Sequence, residues 1–326
     1  MIRLFALFII IALLTYDSHG QGCSDAGFCT MGAMRPDQSY SSKINFKLRA
    51  VELNYYLGKT TLSPVVEVYT VDISIGINYK NSIQVKLPYQ TVTGNFGTND
   101  GMGDISLSAS RTLGAFKDYS IGMTLGGKIP SGYGSDNASG KASNFGSGGS
   151  SPGDLPMYYQ VSLGTYDLVA GASMINEKWL FATGIQIPII HNNDNDFRWG
   201  KWPGYPGELS YTQKYFLPNN LKRGTDVMLR VERNFRFLNY NFSVGALPIY
   251  RITKDRIYDF TPGIEQQIKV PGTTGLALSV LGSAGYSINA NNGVKFIYGY
   301  KLTDRDTNPD GLTRDYVLSF SYIYRF

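Results

Sequence analysis

The chain has 326 residues, 43% hydrophobic and only 17% charged, and its 24 Tyr, 17 Phe and 3 Trp make it 13% aromatic. So few charges, against roughly 25% in soluble domains, argue against an ordinary soluble enzyme, and so many aromatics argue against disorder. The net charge of +5 comes from 30 Lys and Arg scattered among 25 acids, without the basic stripe that a nucleic-acid surface needs.

At the N-terminus, Arg3, the unbroken apolar run Leu4 to Leu14, and Ser18-His19-Gly20 before Gln21 form the pattern of a secretory signal peptide over residues 1–20. That run is short for a bilayer, and no other window approaches the roughly 20 apolar residues of a transmembrane helix. Residues 21–41 follow as a segment unlike the rest, carrying the chain's two cysteines, Cys23 and Cys29. In an oxidising compartment they are a disulfide candidate. A lipid anchor on Cys23 is a rival, although Gly20-Gln21-Gly22 lacks the usual leucine-type residue. A metal site is weaker, because two thiols without nearby histidines do not complete a zinc shell.

From residue 42 to 326 one signal dominates, alternation with period two. Val71, Ile73, Ile75 and Ile77 alternate with Asp72, Ser74, Gly76 and Asn78. Tyr119, Ile121, Met123 and Leu125 do so with Ser120, Gly122, Thr124 and Gly126. At the C-terminus, Tyr316, Leu318, Phe320, Tyr322, Tyr324 and Phe326 share one face, opposite Val317, Ser319, Ser321, Ile323 and Arg325. Segments of this length suit tilted membrane crossings of about 9–11 residues, and a sheet in lipid must close on itself. Crossings are expected near 43–57, 65–80, 82–93, 103–113, 117–130, 161–175, 178–190, 207–217, 223–235, 238–251, 257–268, 274–289, 293–303 and 313–326.

The expectation is therefore an all-β chain, a closed antiparallel transmembrane β-barrel of about 14 strands. The weakest segments are 207–217 and 257–268, so twelve is the alternative. An even count puts both termini in the periplasm and loops 131–156, 191–206 and 304–312 outside the cell, with the barrel crossing a Gram-negative outer membrane in contact with its lipid. By phase the inward set includes Lys47, Arg49, Asp72, Lys86, Asp104, Lys128, Asp167, Arg230, Glu232, Arg251, Lys295, Asp315 and Arg325. Salt-bridge ladders holding the lumen and a solute path are equal readings of these residues. Glycines at 76, 122, 126, 171, 184 and 245 leave room along the wall.

Two segments resemble a family. Gly101-Met102-Gly103-Asp104-Ile105 and Ser162-Leu163-Gly164-Thr165-Tyr166-Asp167 resemble signatures of outer-membrane proteins linked to phenol and aromatic-hydrocarbon degradation, close to the long-chain fatty-acid transporter superfamily. The C-terminal Tyr322-Ile323-Tyr324-Arg325-Phe326, with aromatics at Tyr322, Tyr324 and Phe326, looks like the signal read by the barrel-assembly machinery. The resemblance implies transport of small hydrophobic solutes, and it makes residues 21–41 a candidate for a small plug.

Catalysis is not expected. Of the two histidines, His19 leaves with the signal peptide, and His191 reads as a solvated loop residue with no cue to a nucleophile. The loop Asn192-Asn193-Asp194-Asn195-Asp196 offers oxygen ligands for calcium but lacks EF-hand spacing, so a solvated loop is the better reading. Asn137-Ala138-Ser139 is a glycosylation sequon by pattern only. No cofactor and no metal are expected. Two functions remain: a channel or transporter for small, hydrophobic or aromatic molecules, and a non-conducting barrel serving as a structural or secretion-complex subunit through its loops.

Overall fold

A computed structural model describes residues 47–136, 153–202, 208–259 and 266–326. The signal peptide, the candidate plug with Cys23 and Cys29, and the Asn137 sequon lie outside the described residues.

The alternating segments become strands because β-branched and aromatic residues pack well on one face of a pleat while small polar ones line the other. In chain order they are β1 (Lys47–Lys59), β2 (Val65–Gly76), β3 (Asn81–Gly94), β4 (Gly97–Met102), β5 (Ile105–Phe116), β6 (Tyr119–Ile129), β7 (Thr165–Ile175), β8 (Trp179–His191), β9 (Asp226–Phe237), β10 (Tyr240–Arg251), β11 (Arg256–Tyr258), β12 (Gln267–Lys269), β13 (Gly275–Ser287), β14 (Asn292–Thr303) and β15 (Tyr316–Arg325). Twelve of them, all but β4, β11 and β12, form a closed antiparallel ring. The ring shuts where β1 meets β15, with Val51 opposite Tyr324 and Tyr55 opposite Phe320. Closure leaves no row of unbonded backbone groups facing lipid. β4 lies outside the ring, paired with the end of β3, and β11 and β12 form a separate two-stranded ribbon.

The count of about fourteen is thereby corrected to twelve. Segment 207–217 is no crossing. It contains a one-turn helix, Leu209–Thr212, and places Tyr211 and Tyr215, four residues apart, with ring centroids 5.9 Å from one another. Segment 257–268 breaks into the β11–β12 ribbon, and Pro262-Gly263 in its middle could not have sustained a ladder. Removing two crossings keeps the number even. Both ends of the ring chain, Lys47 and Arg325, therefore sit at one end with the short turns 77–80, 117–118, 176–178, 238–239 and 288–291. The long connections 130–164, 192–225, 252–274 and 304–315 share the other end.

The outward face is apolar and open, with Leu53, Tyr69, Leu125 and Phe320 each at least half exposed. A wall that presents such residues all round suits lipid. The long loops behave differently, folding into a small protein-like core on the inner rim. Phe96, Leu155, Tyr159, Phe197, Trp202 and Tyr215 are buried together against Val66 of β2 and Val92 of β3. A second cluster joins Met157, Leu163, Leu221, Ile257 and Val270.

Candidate functional site

The inward positions of β9 and β10 order the lumen into tiers. From the long-loop end, β9 presents Asp226, Met228, Arg230, Glu232, Asn234 and Arg236, and β10 runs alongside with Arg251, Ile249, Leu247, Gly245, Ser243 and Asn241. Charge, then apolar groups, then charge again follow from this alternation.

The first tier fastens the loop cap to the wall. Arg251 reaches Asp226 of its own wall at 2.7 Å and two loop carboxylates, Asp255 at 2.8 Å and Asp310 at 2.9 Å. Arg223, in the loop before β9, lies 3.3 Å from Asp310, 3.4 Å from Asp226 and 3.5 Å from Asp167. Arg305 adds a contact to Asp310 at 3.6 Å. Lys128 sits 2.8 Å from Asp104 and 3.6 Å from Asp167. Lys301 holds Asp315 at 2.9 Å and Asp304 at 3.6 Å. Most of these groups are buried, where an ion pair is tolerated only when its geometry and hydrogen bonds are good.

The loop carboxylates respond in opposite directions. Burial works against ionised Asp310, but Arg251, Arg305 and Arg223 outweigh it and hold the carboxyl far below the usual range. Burial dominates at Asp255 and, with Asp310 as a like-charged neighbour, raises its pKa despite Arg251. In the cap core, burial pushes the Tyr159 hydroxyl up to about 12, so it stays a neutral hydrogen-bonding group beside Ser63 at 2.8 Å.

The second tier is apolar. Val169, Ala182, Met228, Leu247, Ile249 and Leu281 form one buried cluster from β7, β8, β9, β10 and β13. Below lie isolated polar pairs. Asp72 and Lys86, opposite one another on β2 and β3, meet at 3.3 Å, and Gln84 Nε2 donates to Asp72 at 2.6 Å. Arg230 is bonded to Glu232, whose other oxygen accepts from Ser243 at 3.1 Å. Gly245 makes this possible, because a Cβ there would collide with Glu232 and the Val231 carbonyl.

The third tier is a cavity of about 540 Å³ at the short-turn end, lined by Arg49, Arg236, Lys295 and Arg325 among others. Arg49 occupies a β-bulge between Leu48 and Ala50, and its guanidinium occupies the space above Gly76. Its Nη2 donates to the Asn78 carbonyl at 2.5 Å.

The inward candidates thus fall into separate places. Asp104, Lys128, Asp167, Arg251 and Asp315 join the cap tier, Asp72, Lys86, Arg230 and Glu232 form the pairs below, and Arg49, Lys295 and Arg325 line the cavity. Lys47 begins β1, with its side chain outside the described part. Sequence reasoning missed Arg223, Asp226, Asp255, Lys301, Arg305 and Asp310. Their one signal is dense alternating charge at strand ends, as in Lys254-Asp255-Arg256 and Asp304-Arg305-Asp306.

The polar loop at 192–196 is not solvated as expected. Asn195 is fully buried and its Nδ2 donates to Gly134 O at 2.6 Å and Leu155 O at 3.0 Å, while Asn193 donates to Leu163 O at 3.0 Å. These amides brace loops that have no ladder of their own. Asp196 is taken by Arg198 and Lys201. His191 ends β8, half-buried, with Nε2 3.4 Å from the Arg223 carbonyl.

No protein-family model matches the chain, and no curated protein matches it in sequence. Solved structures do share its fold. The COG4313 outer membrane channel from Pseudomonas putida F1 superimposes with a TM-score of 0.56 at 11% identity, over 90% of this chain and 99% of that one. The KdgM and NanC porins, each 8% identical, overlap with TM-scores of 0.41, covering 85% and 86% of this chain and 99% of theirs. The chain therefore has the fold of an outer-membrane β-barrel channel.

Proposed function

We propose that this protein is an outer-membrane channel for small molecules, closed at its long-loop end by a folded cap and opened by displacement of that cap. The observation that carries the reading is the layered lumen, a cavity beneath an apolar tier and a cap fastened to the wall by buried ion pairs. The apolar tier of Met228, Leu247 and Ile249 supports a hydrophobic or aromatic cargo, in keeping with the likeness of the segments at 101–105 and 162–167 to aromatic-hydrocarbon transport proteins. We assign the chain no catalysis, because its sequence offers no cue to a nucleophile beside His191. Lipid contacts the outward face, and the barrel-assembly machinery reads Tyr322, Tyr324 and Phe326.

The test is conductance in planar bilayers and uptake of a small aromatic into proteoliposomes. Low basal conductance is expected, rising when the cap is released by Asp310→Asn. Absence of both current and uptake from wild type and released barrels would refute the channel. The second reading, a non-conducting structural subunit, is favoured by the cap core itself, which buries Trp202 and Phe197 as completely as a soluble domain would.

A further inference from the structure

The two ends of the lumen treat positive charge in opposite ways. At the long-loop end Arg223, Arg251, Arg305, Lys128 and Lys301 each have a carboxylate within 4 Å. At the short-turn end the cavity brings Arg49, Lys80, Arg111, Arg236, Lys295 and Arg325 together from six separate elements, and the acid lining it with them is Glu177. Among the described residues, Arg49, Lys80, Arg236 and Arg325 form no ion pair; Arg49 instead donates to a backbone carbonyl and Lys80 lies over the Tyr79 ring at 5.3 Å. Side chains of one sign converging on a cavity with low-dielectric walls focus their field into it and raise the local concentration of the opposite sign. Guanidinium groups are also the side chains best shaped to receive a carboxylate or phosphate.

We infer that this vestibule binds small anions bearing a carboxylate or phosphate, which makes anionic solutes the preferred cargo of the channel. The inference rests on the channel reading for its second half alone. Serine and asparagine side chains on the same wall, Ser82, Ser173 and Asn241 among them, supply neutral polar partners, and Ile175 and Ile323 offer apolar surface beside the cations. The site therefore suits an organic anion with an apolar body better than a bare inorganic one.

Equilibrium binding of benzoate, inorganic phosphate and benzylammonium to the full-length barrel in detergent tests this, at low and high salt. Benzoate and phosphate should bind, benzylammonium should not, and high salt should weaken both anions. In the triple variant Arg49→Gln/Arg236→Gln/Arg325→Gln the anion affinities should fall about tenfold or more, with heat-modifiable migration on gels confirming that the barrel still folds. Phosphate binding as tightly as benzoate would assign the site to the anionic group alone; tighter benzoate would add the apolar wall. Benzylammonium matching benzoate, or anion binding unchanged in the folded triple variant, would overturn the inference. A barrel that binds benzoate yet passes no current keeps the vestibule and defeats the channel. One that conducts without anion binding does the reverse.

Discussion

Arg251 of the barrel wall and Asp310 of the last long loop meet at 2.9 Å, both fully buried. The same carboxylate accepts Arg223 at 3.3 Å from a loop 87 positions earlier in the chain. One side chain thus ties two loops and the wall into a single unit. Replacing it leaves three buried guanidiniums, those of Arg223, Arg251 and Arg305, short of a partner, which costs roughly 3–5 kcal/mol in comparable sites. Asp310→Asn should loosen the cap while the ring persists. Protease cleavage within 192–225 or 304–315 should rise sharply, with heat-modifiable migration retained. Asp255→Asn should do less, because burial and the neighbouring Asp310 already disfavour the ionised form of Asp255.

The same contrast sets an acid limit. A carboxylate with a depressed folded pKa stabilises above its unfolded value of about 3.9 and loses that contribution as pH falls towards the folded value. Asp310 belongs to this class. Asp255 has the opposite sign: its raised pKa favours the cap at low pH, a contribution lost as pH rises through the folded value. With Asp310 bound by three arginines, its behaviour should prevail. Protease resistance of the cap should hold from neutral pH to about 4 and decline below it. Resistance unchanged at lower pH, or a loss centred near neutrality, would contradict this assignment.

What could be read from the sequence divides along the same line. The wall was legible because each strand states its own pattern: Val65–Gly76 shows which residues face out without knowledge of its neighbours. Segment 207–217 misled because Tyr211, Tyr215 and Leu217 are apolar for the cap core, and apolar spacing over so short a stretch does not separate strand from turn. The cap itself was invisible. Nothing local in Asp310 points to Arg223, and Asn193 and Asn195 read as solvated because their partners, Leu163, Gly134 and Leu155, are distant in sequence. Phase placed Asp72 and Lys86 on the inner face, but their pairing needed the β2–β3 register.

The apolar tier should limit permeation. Met228 and Leu247 are almost wholly buried in the lumen, so truncation opens space there and costs about 2–5 kcal/mol per residue. Met228→Ala/Leu247→Ala should lower the melting temperature and, in the Asp310→Asn background, raise single-channel conductance further. Conductance unaffected by the double truncation would place the limiting barrier in another tier.

The last prediction separates the two faces of β15. Ser319 points inward, where its hydroxyl meets Asn54 Nδ2 at 2.6 Å, while Phe320 beside it points out and is half exposed. A Lys at 319 loses one hydrogen bond but faces the polar lumen, where a long side chain can reach water. A Lys at 320 puts its charge on the lipid face, opposite Tyr55 on one side and Phe296 on the other, at roughly 2–4 kcal/mol near the midplane. Ser319→Lys should therefore assemble nearly as well as wild type, and Phe320→Lys should give clearly less heat-modifiable barrel in the membrane fraction. Equal yields for the two variants, or the reverse order, would mean that the inner and outer faces of β15 are exchanged and with them the whole tier arrangement.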